Sequence, residues 1–174
     1  VTTTSQPLAE LVIHDYAAQA KVVSLPSTVD QTIFKSGNKS NARERFGLLP
    51  NKQYIGTAGG LYKDKGVEVI YQAWEKLKHE MPNVHLVLAG PYQPDYPPPE
   101  EERVHYLGSL AHHEISTLFQ ALDLGIISIL DTPFGRYCFP QKAYEMLACD
   151  LPVVVANIGE MSYLFRDSPQ VLFQ

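Results

Sequence analysis

The sequence is poor in cysteine, in basic charge and in long apolar runs, and each shortage excludes a class of protein. Its 2 cysteines, Cys138 and Cys149, stand too far apart for a redox or zinc pair and are too few for a disulfide framework. A reducing, cytoplasmic setting is the resulting expectation. Lysine and arginine number 14 against 19 aspartates and glutamates, a formal charge of -5, so there is no basic field for phosphate backbones and no nucleic-acid partner is expected. No apolar run reaches the ~18 residues of a membrane-spanning helix, and the first residues lack the basic and apolar regions of a signal peptide. What is present is a normal globular balance, 45% hydrophobic and 19% charged, in a 174-residue chain, the length of about one domain.

From Gln53 onward, short apolar runs alternate with helical patterns, as in β-α-β units. Strands are predicted at Tyr54–Ala58, Val84–Ala89, Val104–Leu107, Leu124–Leu130, Pro152–Ala156 and Val171–Phe173. Helices are predicted from Gly66 to Glu80, with Val67, Ile70, Ala73, Trp74 and Leu77 on one face, and around Ile115, Leu118, Phe119 and Leu122. A further helix begins at Pro140, with Ala143, Tyr144, Leu147 and Ala148 inward, and a short one covers Gly159 to Phe165. Between Pro91 and Glu102 the prolines replace the usual crossover helix by an extended link, and Asp131 to Phe139 reads as a loop. The fold class is α/β, a doubly wound parallel sheet of Rossmann type.

Residues 1–50 differ in character. They hold a strand end, a helix through Leu8, Leu11, Val12 and Tyr16, a Val22–Pro26 run, and a short helix over Asn41–Leu48 capped by Ser40 or Asn41. They read as an inter-domain linker with its flanking elements, and residues 51–174 as the nucleotide-binding domain. The chain opens on strand-like residues without methionine and ends inside an apolar strand pattern, so a piece of a larger protein is expected.

A doubly wound sheet binds ligand at the carboxyl ends of its strands. The dinucleotide reading is weak: Gly56-Thr57-Ala58-Gly59-Gly60-Leu61 misses the G-x-G-x-x-G register, and Ala89-Gly90-Pro91 lacks the acid that holds an adenosine ribose. A Walker loop ends in glycine-lysine-serine or threonine, whereas here lysine precedes glycine in Lys65-Gly66. His112-His113-Glu114 reads as a polar first helical turn, since adjacent helical residues do not face one another as metal ligands must.

Five segments, in order, resemble another nucleotide-binding family. Ser24-Leu25-Pro26-Ser27-Thr28-Val29-Asp30 with Phe34 resembles the linker "P-N-G-V-D", and Gly59-Gly60-Leu61-Tyr62-Lys63-Asp64-Lys65-Gly66 resembles "G-R-L-x-x-x-K-G". Leu86–Gly90 matches a second strand and Val104–Gly108 the motif "V-x-F-L-G". Phe139-Pro140-Gln141-Lys142-Ala143-Tyr144-Glu145, continued by Leu151–Ala156 and Gly159, resembles "P-S-K-x-x-E-x-x-A-x-G-x-P-V-V-A-x-x-x-G". The family is that of retaining GT-B glycosyltransferases, which includes sucrose synthases and bacterial mannosyltransferases, and the match is to its C-terminal, donor-binding domain, one half of a two-domain enzyme.

The resemblance implies a nucleotide-diphosphate sugar, a UDP- or GDP-hexose, as donor substrate, with no metal and no other cofactor. It implies retaining transfer to a glycan or lipid-linked acceptor held by a preceding N-terminal domain, through which any contact with the inner face of the plasma membrane would run. In that family the leaving phosphate itself assists attack on the donor's front face. Lys65 and Glu145 are then the catalytic candidates, Lys65 meeting charge that develops on the pyrophosphate and Glu145 accepting the ribose hydroxyls. The donor-binding candidates are Gly59, Gly60, Gly108, Ser109, Arg136, Tyr137, Cys138, Phe139, Pro140 and Lys142. Two positions depart from the pattern. Gly60 stands where the family's second cation belongs, with Arg136 as the candidate replacement, and Tyr137 stands where the first glutamate of a spaced pair belongs. A nucleotide-sugar epimerase of the same fold and a non-catalytic nucleotide-binding module are the alternatives.

Overall fold

The computed structural model describes residues 1–16 and 20–174, so residues 17–19 of the predicted 1–50 segment lie outside the description. A short parallel pair, β1 (Thr2–Thr3) and β2 (Val23–Ser24), flanks α1 (Gln6–Asp15), and α2 (Lys39–Arg45) follows. The main sheet is built from β3 (Gln53–Ala58), β4 (Val84–Ala89), β5 (Val104–Tyr106), β6 (Leu124–Ile127), β7 (Val153–Ala156) and β8 (Leu172–Phe173). Its helices are α3 (Val67–Glu80), α4 (His112–Ala121), α5 (Pro133–Tyr137), α6 (Gln141–Ala148) and α7 (Glu160–Leu164).

All six strands are parallel, in the order β5-β4-β3-β6-β7-β8. The chain runs outward from β3 through β4 to β5, then returns to β3's other side and runs outward again through β6, β7 and β8. The order therefore reverses between β3 and β6, and a crevice opens at the carboxyl ends of those two strands. Every residue of β4 is buried, because side chains alternate between two packed faces: Val87 and Ala89 join one core, Leu86 and Leu88 the other. The first core carries α2, α4, α6 and α7 through residues such as Ala42, Leu118, Met146 and Met161, and the second packs Val67, Ile70 and Trp74 of α3.

The extended link after β4 is present: no helix lies between Ala89 and Val104, and Glu101 accepts a hydrogen bond from Trp74 Nε1 at 3.2 Å, fixing the link over α3. Several details differ from the sequence reading. Ala73 and Leu147 are exposed, and Met146 rather than Leu147 points inward beside Ala143, because α6 packs against Gly125 of β6, whose missing side chain leaves room for the Met146 sulfur. Helix α1 stops at Asp15, leaving Tyr16 74% exposed. Helix α2 begins earlier than predicted, since Asn38, not Ser40 or Asn41, accepts from the Asn41 amide. The segment 131–139 contains α5, capped by Thr132, instead of being all loop. Phe34, Ala42 and Leu48 sit in the first core, so the chain from Phe34 onward packs as part of this unit.

One polar cluster ties α2 to the sheet at the end opposite the crevice. The Asp123 carboxylate accepts from Arg43 at 2.6 Å, Lys39 at 2.8 Å and the Tyr54 amide at 2.8 Å, while buried Arg43 also donates to the carbonyls of Ala121 and Pro50. Burial pushes the Asp123 carboxyl up, but Lys39, the Tyr54 amide and Arg43 outweigh it and hold it below its ordinary 3.8. Replacing Asp123 by alanine leaves the Arg43 charge buried without a counter-charge, with an expected loss of about 3 kcal/mol in urea unfolding. A depressed carboxyl stabilises the fold above its unfolded pKa and loses that contribution as pH falls through the folded one. The wild type's stability margin over Asp123→Ala is therefore expected to hold at neutral pH and shrink below about pH 4.

Candidate functional site

The crevice between β3 and β6 is a cleft of about 300 Å³. Its floor is Ala58 and Gly59, its β6 side is Ser128 and Ile129, and its far wall is Phe134 with the stretch Cys138 to Lys142 and Glu145. Ile115 and Phe119 of α4 close the apolar side. A smaller compartment of about 110 Å³ adjoins it, sharing Ala58, Gly59 and Ile115 and adding Gly90, Pro91, Ser109 and Leu110.

Three glycines form the edge of the sheet here. The Gly59 amide donates to Ala89 O at 2.9 Å and the Gly90 amide to Gly108 O at 2.7 Å, so the ladder continues past the strand ends. All three have positive φ: 117° at Gly59, 124° at Gly90 and 67° at Gly108. Only glycine tolerates such a bend without strain, and its bare surface brings backbone up to a ligand.

Lys65 reaches the cleft from the turn after β3. Its carbonyl accepts from Ser128 Oγ at 2.9 Å, and Gly66, left-handed at φ 72°, then starts α3. Lys142 enters from the first turn of α6, with its Nζ 3.4 Å from where a Cβ on Gly59 would sit. Neither ammonium takes part in any ion pair among the described residues. Burial, reinforced by repulsion from Lys65, lowers Lys142 from 10.5 to about 8. Burial pushes Glu145 up, against the pull of His112 and Lys142. No side chain caps the N-terminus of α6, where Pro140 is the N-cap, so the positive end of its dipole is open toward the cleft. The site thus offers two cations, a helix end and glycine backbone to an anion, and one carboxylate to hydroxyl donors.

Of the residues predicted for the site, Gly59, Lys65, Cys138, Phe139, Pro140, Lys142 and Glu145 meet in this cleft. Ser109 lines the adjoining compartment, and Gly108 supports it through its carbonyl. Gly60 is outside: a Cβ there would lie 2.4 Å from the Tyr62 ring, which occupies the space where any side chain at that position would begin. Arg136 does not face the cleft. Its guanidinium is forked onto Asp131 at 2.5 and 3.1 Å, and it lines grooves toward α1 and β8 instead. Tyr137 lies on the α1 side as well, its carbonyl accepting from buried Ser5 at 2.8 Å. Cys138 is a wall group: burial pushes its thiol up, while Lys65 and Lys142 pull the other way.

The sequence reading missed Ser128, Phe134 and the α4 wall. Thr132-Pro133 is a helix-start signal that would have revealed α5 and brought Phe134 into view, whereas nothing local marks Ser128 as the anchor of Lys65. Among the described residues no group of three or more His, Cys, Asp or Glu is placed to hold a metal ion, and no helix is long and apolar enough to cross a membrane. Helix α4 begins at His112, with the Glu114 carboxylate accepting from the Ala111 amide at 3.1 Å.

A family model described as "Glycosyl transferases group 1" matches residues 52–173. The chain belongs to this family. Among group 1 relatives, the D-inositol 3-phosphate glycosyltransferase of Stackebrandtia nassauensis is 29% identical over 184 residues, covering 96% of this chain and 40% of that protein. The Mycobacterium marinum protein of the same name is 26% identical over 179 residues, covering 96% and 36%. The chain therefore spans about two-fifths or less of these curated relatives. Anabaena HepE, solved in complex with UDP and glucose, superposes with a TM-score of 0.74 at 25% identity over 94% of this chain and 46% of its own. The C-terminal domain of the group 1 protein LpcC from Francisella tularensis superposes at 0.61 with 20% identity, over 76% of this chain and 72% of that one. The fold is that of one half of a GT-B glycosyltransferase.

Proposed function

We propose that this chain is the donor-binding half of a retaining hexosyltransferase that takes a hexose from a UDP- or GDP-sugar to a glycan or lipid-linked acceptor. The observation that carries the reading is the pair of ammonium groups, Lys65 and Lys142, without an ion-pair partner among the described residues, sharing a cleft with Glu145 at the point where strand order reverses. Lys65 and Lys142 neutralise the diphosphate as it leaves, and the α6 N-terminus adds its dipole. Glu145 accepts both hydroxyls of the ribose, which requires its ionised form. The smaller compartment past Gly59 and Ser109 receives the base. The UDP bound by HepE supports uracil as the base to test first. The segment before Phe34 joins this half to an N-terminal one that holds the acceptor, and membrane contact, if the acceptor is lipid-linked, runs through that other half.

Calorimetry of the chain with UDP and GDP tests this directly. UDP is expected to bind, and Glu145→Ala to weaken it about tenfold or more, the worth of hydrogen bonds to a charged group. An anion favours protonated Lys142, whose pKa in the empty cleft is about 8, so affinity is expected to fall as pH rises through that value from its level at neutral pH, and to fall again in acid as Glu145 takes up a proton. Absence of binding by both nucleotides, or a profile flat from about pH 7 to 9.5, is the result that rejects the reading or Lys142's part in it.

A further inference from the structure

Lys65 makes no ion pair among the described residues, yet its ammonium is not simply in solvent. Its Nζ lies 3.8 Å from the centroid of the Phe134 ring, and that ring is 45% exposed although it borders the cleft. Both partners are fixed from the stretch of chain that leaves β6, Lys65 through Ser128 and Phe134 through Leu130 and Thr132. Ser128 Oγ holds the Lys65 carbonyl at 2.9 Å. Gly135, beside Phe134, is pressed so closely onto Leu130 that a Cβ there would lie 2.0 Å from the Leu130 carbonyl oxygen, and Thr132 caps the short helix by accepting from the Gly135 amide. The contact is therefore set by backbone anchors on either side, not by two side chains meeting by chance at the surface.

We propose that Phe134 is a positioning residue for Lys65, its ring face holding the ammonium on the α5 side of the cleft and away from Lys142, so that an anion is received between two separated cations. The inference rests on the donor-site reading above. Two ammonium groups in one half-buried cleft repel each other, and no carboxylate pairs with either among the described residues. The electron-rich face of an aromatic ring attracts a cation without cancelling its charge, so Lys65 is restrained but stays available to phosphate oxygens. A carboxylate in the same place would restrain it better and compete with the ligand. This division of labour also suits a site in which the position usually given to a second cation is Gly60, closed off by Tyr62: the two cations that remain, Lys65 and Lys142, must be correctly spaced.

The test compares Phe134→Leu, which keeps apolar bulk and removes the ring face, with Phe134→Trp, which strengthens it, and with Lys65→Ala. UDP and uridine are the probes, since uridine lacks the phosphates. Phe134→Leu is expected to weaken UDP about three- to tenfold, the range of a cation–π contact of intermediate exposure, and to leave uridine unchanged. It is also expected to move the alkaline fall in UDP affinity to lower pH, because Lys65 released toward Lys142 disfavours the protonated form of the latter. Phe134→Trp is expected to keep wild-type discrimination between UDP and uridine. Equal losses for UDP and uridine, or an unmoved alkaline limb in Phe134→Leu, would show that Phe134 is only wall and overturn the proposal. If the wild type binds UDP and Lys65→Ala weakens it while Phe134→Leu does not, the inference alone falls. If the wild type binds no UDP, the donor-site reading falls and takes the inference with it.

Discussion

Replacing Lys142 by methionine is expected to strengthen the fold and cripple the donor site at once. Methionine matches the length of the lysine stem and needs no hydration, whereas the lysine gives up water in the cleft and meets the field of Lys65. A pKa of about 8 in the fold against 10.5 unfolded means that keeping Lys142 protonated costs stability at neutral pH. The full shift corresponds to about 3 kcal/mol, and because the residue is only partly buried a gain of about 1–2 kcal/mol is the expected size for Lys142→Met. The sign follows from proton counting. Between about pH 8 and 10.5 the unfolded chain binds more protons than the folded one, so wild-type stability rises with pH across that window. The advantage of the methionine variant is thus full below about pH 8 and vanishes as pH approaches 10.5. UDP affinity is expected to drop about 30-fold or more at pH 7, the loss of a charge-assisted contact to phosphate, and to lose its alkaline fall. Urea unfolding at several pH values, with calorimetry on the same samples, checks both halves. A variant that is less stable at pH 7, or binds UDP as the wild type does, contradicts the assignment.

This opposition between stability and binding also marks which parts of the molecule were legible in the sequence. The β-α alternation was readable because its cues are local: period-two or continuous apolar strands, 3.6-residue helical faces, and prolines that forbid a helix after β4. The cleft's Gly59, Lys65, Lys142 and Glu145 were readable through the resemblance of the segments that carry them to the family's donor-binding motifs. What sequence could not supply was the direction of side chains whose partners are distant. Arg136 looked like a spare cation for the pyrophosphate, but α5 is only five residues long and turns it onto Asp131, leaving it outside the cleft. The inward choice of Met146 over Leu147 depends on the hole left by Gly125 on a neighbouring strand, and helical spacing alone does not reveal that hole. Tyr62 filling the room beside Gly60, and Phe134 lying under Lys65, are likewise tertiary facts with no local signature.

Gly90→Ala is expected to produce the largest loss of stability of any single methyl addition at this site. Two independent effects coincide there. At φ 124° an L side chain is strained whatever space surrounds it, a cost of about 1–3 kcal/mol. The added Cβ would also lie 2.1 Å from the Gly59 carbonyl oxygen and 2.7 Å from its carbon, both backbone atoms, so no side-chain rotation relieves the contact. Relief requires the strand ends of β3 and β4 to part, which breaks the 2.9 Å bond from Gly59 N–H to Ala89 O. The sum is expected to reach about 4 kcal/mol, enough to unfold a substantial fraction of a domain of ordinary stability. Gly108→Ala is the natural comparison, since Gly108 also has positive φ, at 67°, but nothing lies within 4 Å of an added Cβ. It carries the backbone strain without the collision and is expected to cost about 1–2 kcal/mol. Thermal and urea unfolding of the two variants separate strain from collision. Equal losses would mean that the edge where Gly59 and Gly90 meet is pliable. A far larger loss at Gly90 would mean that this edge is rigid, and a rigid edge holds the bare glycine backbone at a fixed distance from a ligand in the cleft.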